Sequence, residues 1–123
     1  MVDALVGNPA NPHLLARLAD DTLHAPALLD FEVTSALRGH LLGGKLDEER
    51  LDAAIEDFVA FRIERYPMTH LLHSMLRLRH NFTVYDAAYV VLAEALEVPL
   101  ITADVKLEEA LRLGVDVQVI APM

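Results

Sequence analysis

Three carboxylates stand where an acid is either costly to bury or well placed for chemistry. Glu32 lies on an apolar helical stripe, Asp86 lies in the first turn of a very apolar predicted helix, and Asp104 closely follows a short apolar strand. A carboxylate on a buried face is costly unless it is paired or binds a cation. Oxygen ligands in a chain without cysteine favour Mg²⁺ or Mn²⁺ over zinc. The matching chemistry is activation of water and stabilisation of a phosphoryl transition state.

Each of these acids also has a purely structural explanation. Arg38 or a nearby backbone amide could satisfy Glu32, and Asp86 has capping-box spacing from Thr83. Asp104 is placed to cap the helix that follows it. The site hypothesis is favoured because a parallel topology brings all three acids to one edge of a sheet.

The elements that must position these acids alternate between strands and helices. Short apolar runs predict the strands, and i, i+3, i+4 spacing predicts the helices. This order predicts an α/β fold with a mostly parallel sheet covered on both faces. The predicted strands span 22–25, 62–66, 98–102 and 117–120. The predicted helices span about 28–38, 68–80, 83–96 and 106–113, and two more begin near residues 11 and 47.

Composition bounds the class of protein. A chain of 123 residues with 54% hydrophobic residues fits one globular domain, 1–123, with a substantial core. The lack of cysteine excludes disulfides and thiolate-held metals, and the sequence shows no signal peptide and no membrane-length apolar run. We therefore expect a soluble cytoplasmic protein. A net charge of −9 argues against simple nucleic-acid binding, unless the acids hold cations and a few basic residues flank them.

Three segments, read in order, resemble one known family. Residues 26–38, 83–94 and 100–107 are similar to the stretches of the PIN-domain family, VapC toxin type, that carry the helix Glu, the third acid and the fourth acid. The resemblance covers essentially the whole chain. It implies a three-layer α/β/α fold and a Mg²⁺-dependent endoribonuclease that acts as the toxin of a toxin–antitoxin pair.

The resemblance also implies roles for individual residues. Glu32, Asp86 and Asp104 would be catalytic Mg²⁺ ligands, with Mn²⁺ as a possible substitute, and Thr102 would orient the cluster from the strand end. Expected partners are a VapB-type antitoxin, a second copy of the chain in a homodimer, and an RNA substrate such as tRNA or rRNA. Separately, the basic side chains of Arg38 and Lys106 are candidates for contacts with RNA phosphates.

The opening residues depart from the family pattern. PIN domains begin with a hydrophobic strand that ends in an Asp, whereas residues 1–7 resemble the helix that follows that strand. By this resemblance Asp3 does not take the role of the first acid, and the central strand is missing. We therefore expect an N-terminally truncated domain that folds weakly and has little activity. The alternative function is a non-catalytic PIN module that binds a partner protein.

Other classes fit the sequence less well. A phospho-receiver domain needs an Asp after its mid-chain strand, where Pro67 stands instead. Neither a G-x-S-x-G nucleophile elbow nor a Walker phosphate loop occurs. His70, His73 and His80 are predicted to share one helix face, which favours a solvated surface or a dimer contact over a metal site.

Overall fold

The strands form one parallel sheet. A computed structural model describes residues 3–6 and 22–119. The strands run in the order β3-β2-β1-β4-β5, and every neighbouring pair is parallel. All five carboxyl ends therefore lie at one edge of the sheet, where ligands bind in folds of this kind. The strands are β1 (Asp3–Val6), β2 (Thr22–Pro26), β3 (Ile63–Tyr66), β4 (Leu100–Thr102) and β5 (Val117–Val119).

Helices connect these strands on both faces of the sheet. Asp47 caps the second α-helix through a hydrogen bond of 2.8 Å from Arg50 N, and Thr83 caps the fourth. The α-helices are α1 (Leu29–Leu42), α2 (Glu48–Ala60), α3 (Leu72–Arg77) and α4 (Val84–Leu96), and 3₁₀ helices span Thr69–Leu71 and Val105–Leu113.

Two separate hydrophobic cores show that the fold has three layers. The α4-side core contains Leu5, Leu100 and the buried side of α4, whereas the α1-side core contains Leu23, Leu29 and Ile101. Consecutive strand residues point to opposite faces, so Leu100 and Ile101 mark the two faces of the sheet. The prediction of a three-layer α/β/α fold with a parallel sheet is confirmed.

The prediction that the central strand is missing is wrong. Residues 3–6 form β1, which pairs with β2 in the register Asp3↔Thr22 and with β4 in the register Leu5↔Leu100. A strand is favoured here because β2 and β4 would otherwise face each other without hydrogen-bond partners, and a helix of so few residues does not repay its nucleation cost. Asp3 begins β1, at the amino ends of the strands and so opposite the edge at which Thr102 ends β4.

Several predicted helix ends also move. Helix α1, predicted from residue 28, does not stop at Gly39 but continues to Leu42, because the break comes at Gly43 and Gly44, the second of which has φ +77°. The segment from residue 68 is divided between a 3₁₀ turn and α3, which ends at Arg77. The last predicted helix is a 3₁₀ helix, in which the buried pair Leu107 and Ala110 suits a period of three residues.

Two predicted segments fall partly or wholly beyond the part of the chain that the structure describes. The helix predicted from residue 11, and Ile120 at the end of the last strand, lie outside the described residues. Of the helices that are described, none has both the length and the apolar character needed to cross a membrane.

The central position of β1 makes Leu5 a test of the sheet order. The Leu5 side chain is fully buried, so we expect Leu5→Ala to lower the free energy of unfolding by about 2–5 kcal/mol. Leu42→Ala is the matched control, because Leu42 is 68% exposed and its truncation should cost less than about 0.5 kcal/mol. Urea denaturation measures both. Equal stabilities of the two variants would contradict the central placement of residues 3–6.

Candidate acidic site at the carboxyl edge

The start of α1 lies between the two cores and thereby places Glu32 at the carboxyl edge. Leu28 packs against the α4-side core, and Leu29, the next residue, is buried in the α1-side core. Glu32 follows one turn later, half-buried, and its Oε1 accepts a hydrogen bond from the Tyr89 hydroxyl. This bond joins α1 to α4, two helices that pack in different layers of the fold. Glu32 is therefore held by Tyr89, and not by Arg38 or a backbone amide.

Asp86 lies in the first turn of α4 with its carboxylate uncommitted to the helix cap. The cap is made by Thr83 Oγ1, which accepts a hydrogen bond of 3.1 Å from the backbone N–H of Asp86. The prediction that Thr83 caps this helix is thus correct. Asp86 takes part in the cap through its backbone N–H and not through its carboxylate. The half-buried carboxylate of Asp86 remains available for other interactions. A negative charge in this turn also suits the helix dipole.

Tyr89 lies near several negatively charged side chains. Its ring is only 3% exposed, one turn beyond Asp86 on the same face of α4. Burial, the hydrogen bond to Glu32, and the nearby charges of Glu32, Asp86 and Asp30 all raise the pKa of Tyr89 far above its usual value. The phenol therefore stays protonated and acts as a hydrogen-bond donor. The Tyr89 hydroxyl contacts Glu32 of α1, and Asp86 precedes Tyr89 by one turn of α4, so both carboxylates lie near this one side chain.

Asp104 occupies the same edge of the sheet but has its own partners. Its backbone N–H donates to Thr102 Oγ1 at 3.0 Å, and its Oδ1 accepts from Lys106 N at 3.0 Å. Oδ2 lies 3.7 Å from the Lys106 ammonium, whose side chain is largely exposed. Thr102 is fully buried and fixes the turn that leaves β4. The structural role predicted for Asp104, an N-cap, is confirmed.

The described acids do not form a closed metal cage. Within residues 3–6 and 22–119, no group of three or more His, Asp or Glu side chains is arranged to hold a metal ion. Mg²⁺, however, is usually held by one or two carboxylates, with water and substrate phosphates completing its coordination. Glu32 and Asp86, which both lie near Tyr89 and offer only carboxylate oxygens as metal ligands, fit that mode of binding.

Of the two basic residues predicted to contact RNA, Lys106 lies beside an acid of the carboxyl edge, whereas Arg38 does not. Lys106 adjoins Asp104 and has an exposed ammonium group. Arg38 is exposed but lies six residues beyond Glu32, which is about 240° around the helix. Arg38 therefore does not share the face of α1 that carries Glu32.

An ion pair that the sequence did not reveal fixes the first turn of α1. Arg65 Nε lies 2.9 Å from both carboxylate oxygens of Asp30, and Arg65 Nη2 lies 2.9 Å from Oδ1. The Arg65 guanidinium also lies 5.6 Å from the centre of the Phe58 ring. This geometry links α1, β3 and α2. Neither the pair nor the Tyr89 contact could be read from spacing along one element, since each joins residues far apart in sequence.

The three histidines predicted to share one helix face do not lie on one helix. His70 belongs to the 3₁₀ turn, His73 to α3, and His80 follows the end of α3. All three are exposed. The single-helix prediction is wrong because the chain changes from a 3₁₀ to an α-helical repeat at Leu72 and leaves the helix after Arg77.

Solved structures share this fold. PAE2754 from Pyrobaculum aerophilum matches with a TM-score of 0.70 and 25% identity, over 89% of this chain and 86% of that one. A PilT N-terminus domain protein, SSO1118 from Sulfolobus solfataricus, matches with a TM-score of 0.55 and 16% identity, over 96% of this chain and 87% of that one. The second likeness concerns the fold alone, which is that of PIN domains.

Curated relatives carry the family assignment. No family model matches the chain. Ribonuclease VapC1 of Mycobacterium tuberculosis is 40% identical over 122 residues, which is 98% of this chain and 92% of the relative. Ribonuclease VapC12 of the same species is 32% identical over 120 residues, or 98% of this chain and 93% of the relative. With this identity over nearly the full length of both proteins, and with a PIN-type fold, the chain belongs to the VapC family.

Proposed function

We propose that this protein is a Mg²⁺-dependent endoribonuclease and the toxin of a toxin–antitoxin pair. The observation that supports the proposal is the hydrogen bond from the Tyr89 hydroxyl to Glu32, which brings a carboxylate of α1 close to the helix that carries Asp86, one turn before Tyr89. The relatives named ribonuclease VapC supply the substrate class, RNA. They also support a VapB-type antitoxin as partner. A homodimer, a cytoplasmic location and tRNA or rRNA as the target are further parts of the proposal.

The proposed roles follow from the chemistry of each side chain. Glu32 and Asp86 would hold Mg²⁺, and Mn²⁺ would substitute because it has similar ligand preferences. The chemistry that the bound ion supplies is activation of water and stabilisation of charge on the phosphate. Asp104, at the end of the turn that Thr102 fixes, is the third proposed ligand. Its backbone N–H donates to Thr102 Oγ1, and its Oδ1 accepts a hydrogen bond from Lys106 N.

The charge of the protein makes a cation necessary for this function. With a net charge of −9, and with carboxylates at the proposed site, the protein repels RNA phosphates unless a cation lies between them. Lys106, next to Asp104, is suited to contact a phosphate near the cleavage point. Arg38 would contact RNA only farther along the strand, because it lies off the face that carries Glu32.

The two central carboxylates give the first test of the enzyme. Glu32→Gln and Asp86→Asn keep the size of each side chain but remove its charge. We expect each variant to lose more than roughly 100-fold in RNA cleavage, since even the partners of metal ligands are worth about 10- to 100-fold. The measurement is cleavage of labelled tRNA and rRNA with Mg²⁺ present or chelated.

Matched controls for this test lie on the exposed face of α2. Glu56→Gln and Asp57→Asn make the same chemical changes at exposed positions, and both should cleave like the unmodified chain. If the folded chain shows no Mg²⁺-dependent cleavage, or if the site variants cleave as well as these controls, the enzyme proposal fails. The non-catalytic partner-binding module then becomes the better account, an account also consistent with the open arrangement of the described acids.

Asp104 needs a test that separates capping from chemistry. Asn caps a helix about as well as Asp, whereas Ala loses about 1 kcal/mol of stability at an N-cap. We expect Asp104→Asn to keep the thermal stability of the chain but to reduce RNA cleavage, and Asp104→Ala to reduce both. Thermal denaturation and the cleavage assay measure the two effects. Full activity of a stable Asp104→Asn variant would leave Asp104 with only its role as a cap.

A further inference from the structure

Tyr89 carries a hydroxyl group into α4, the most apolar of the described helices. Every residue from Ala87 to Ala93 in α4 is buried, and Tyr89 is only 3% exposed. A buried hydroxyl is costly unless it is hydrogen-bonded, so a Phe would suit the packing alone. The hydroxyl has a partner, Glu32, which lies 57 positions away in the chain. The position thus joins a proposed ligand on α1 to the helix that carries the other proposed ligand, Asp86.

The direction of this hydrogen bond determines what Tyr89 can do. A phenol O–H donates and a carboxylate oxygen accepts, so the contact fixes the position of Glu32 Oε1. A carboxylate has two oxygens with about four lone-pair sites. With Oε1 bonded to Tyr89, Glu32 still has Oε2 to offer to a cation.

We propose that Tyr89 is a positioning residue that orients the Glu32 carboxylate for cation binding through the hydrogen bond between its hydroxyl and Glu32 Oε1. This inference rests on the proposed function, because it takes Glu32 to be a ligand. Carboxylates that bind metals are themselves held by hydrogen bonds, and losing such a partner typically costs about 10- to 100-fold in metal affinity or activity. The ring, locked by its burial in α4, provides the rigid support that such a partner requires.

The direct test is a titration of the full chain with Mn²⁺, in which electron paramagnetic resonance measures the concentration of free ion. Tyr89→Phe keeps the ring and removes only the hydroxyl, and we expect it to weaken Mn²⁺ binding by roughly 10- to 100-fold. Tyr85→Phe is the matched control: it makes the same change on the same helix, but Tyr85 is 61% exposed, so its affinity for Mn²⁺ should not change. Thermal denaturation checks that both variants are folded.

A double-mutant cycle separates positioning from a general loss of stability. If Tyr89 acts through Glu32, the variant Glu32→Gln/Tyr89→Phe will bind Mn²⁺ no more weakly than Glu32→Gln alone. Independent, additive losses would overturn the proposal. So would a Tyr89→Phe variant that melts at a lower temperature yet binds Mn²⁺ as tightly as the unmodified chain.

A measurement on the chain with all its tyrosines in place covers the case in which Tyr89→Phe does not fold. The chain contains three tyrosines, so fluorotyrosine labelling gives three ¹⁹F resonances, and the Tyr66→Phe and Tyr85→Phe variants identify that of Tyr89 by elimination. Mg²⁺ should shift the Tyr89 resonance, and Glu32→Gln should abolish that shift. A Tyr89 resonance that does not move at Mg²⁺ concentrations supporting cleavage would contradict the inference.

These results also distinguish failure of the inference from failure of the proposed function. If the unmodified chain neither binds Mn²⁺ nor cleaves RNA, the proposed function fails and the role of Tyr89 fails with it. If the unmodified chain cleaves RNA and Glu32→Gln does not, but Tyr89→Phe matches Tyr85→Phe in Mn²⁺ affinity, only the role of Tyr89 is refuted.

Discussion

The pairing of β1 with both of its neighbours is the constraint on which the arrangement of the acids depends. In the described sheet, β1 joins the β2–β3 half to the β4–β5 half. Glu32 follows β2 by way of α1, and Asp104 follows β4. The distance between these two acids across the carboxyl edge therefore depends on the backbone hydrogen bonds of the four-residue strand β1 and on the burial of Leu5. Loosening β1 would affect the geometry of the site before it affected any acid directly.

Three acids at the carboxyl edge each have a different partner, whereas the carboxylate of Asp86 remains available. Arg65 pairs with Asp30, Tyr89 donates to Glu32, and Lys106 lies beside Asp104. Exposed ion pairs such as the last contribute little to stability, so they can exchange partners at small cost. The neutral partner is different, because a phenol stabilises a carboxylate without cancelling its charge. Glu32 can thus be held in place and still attract a cation.

The sequence predicted the layers of the fold because those features follow local rules. Periodicity placed α2 and α4 nearly as observed, and strand–helix alternation implied the parallel sheet. The first strand was missed because four residues cannot show a period, and their conformation is decided by the partners that β2 and β4 offer. The partner of Glu32 was missed for a related reason: spacing along one helix cannot indicate which residue of another helix lies opposite.

The proposed function would give Asp104 a chemical role in addition to the structural role that the fold already gives it. As an N-cap it is aligned by its own helix, with Oδ1 on Lys106 N, so its direction is fixed without a metal ion. Oδ2 faces only an exposed ammonium group 3.7 Å away, an interaction that a divalent cation or an RNA phosphate competes with readily. An approaching phosphate would attract Lys106 and so free Oδ2. In the proposed function, this edge of the sheet would complete a cation site only when substrate is present, in keeping with the acids of the described residues, which do not by themselves close around a metal.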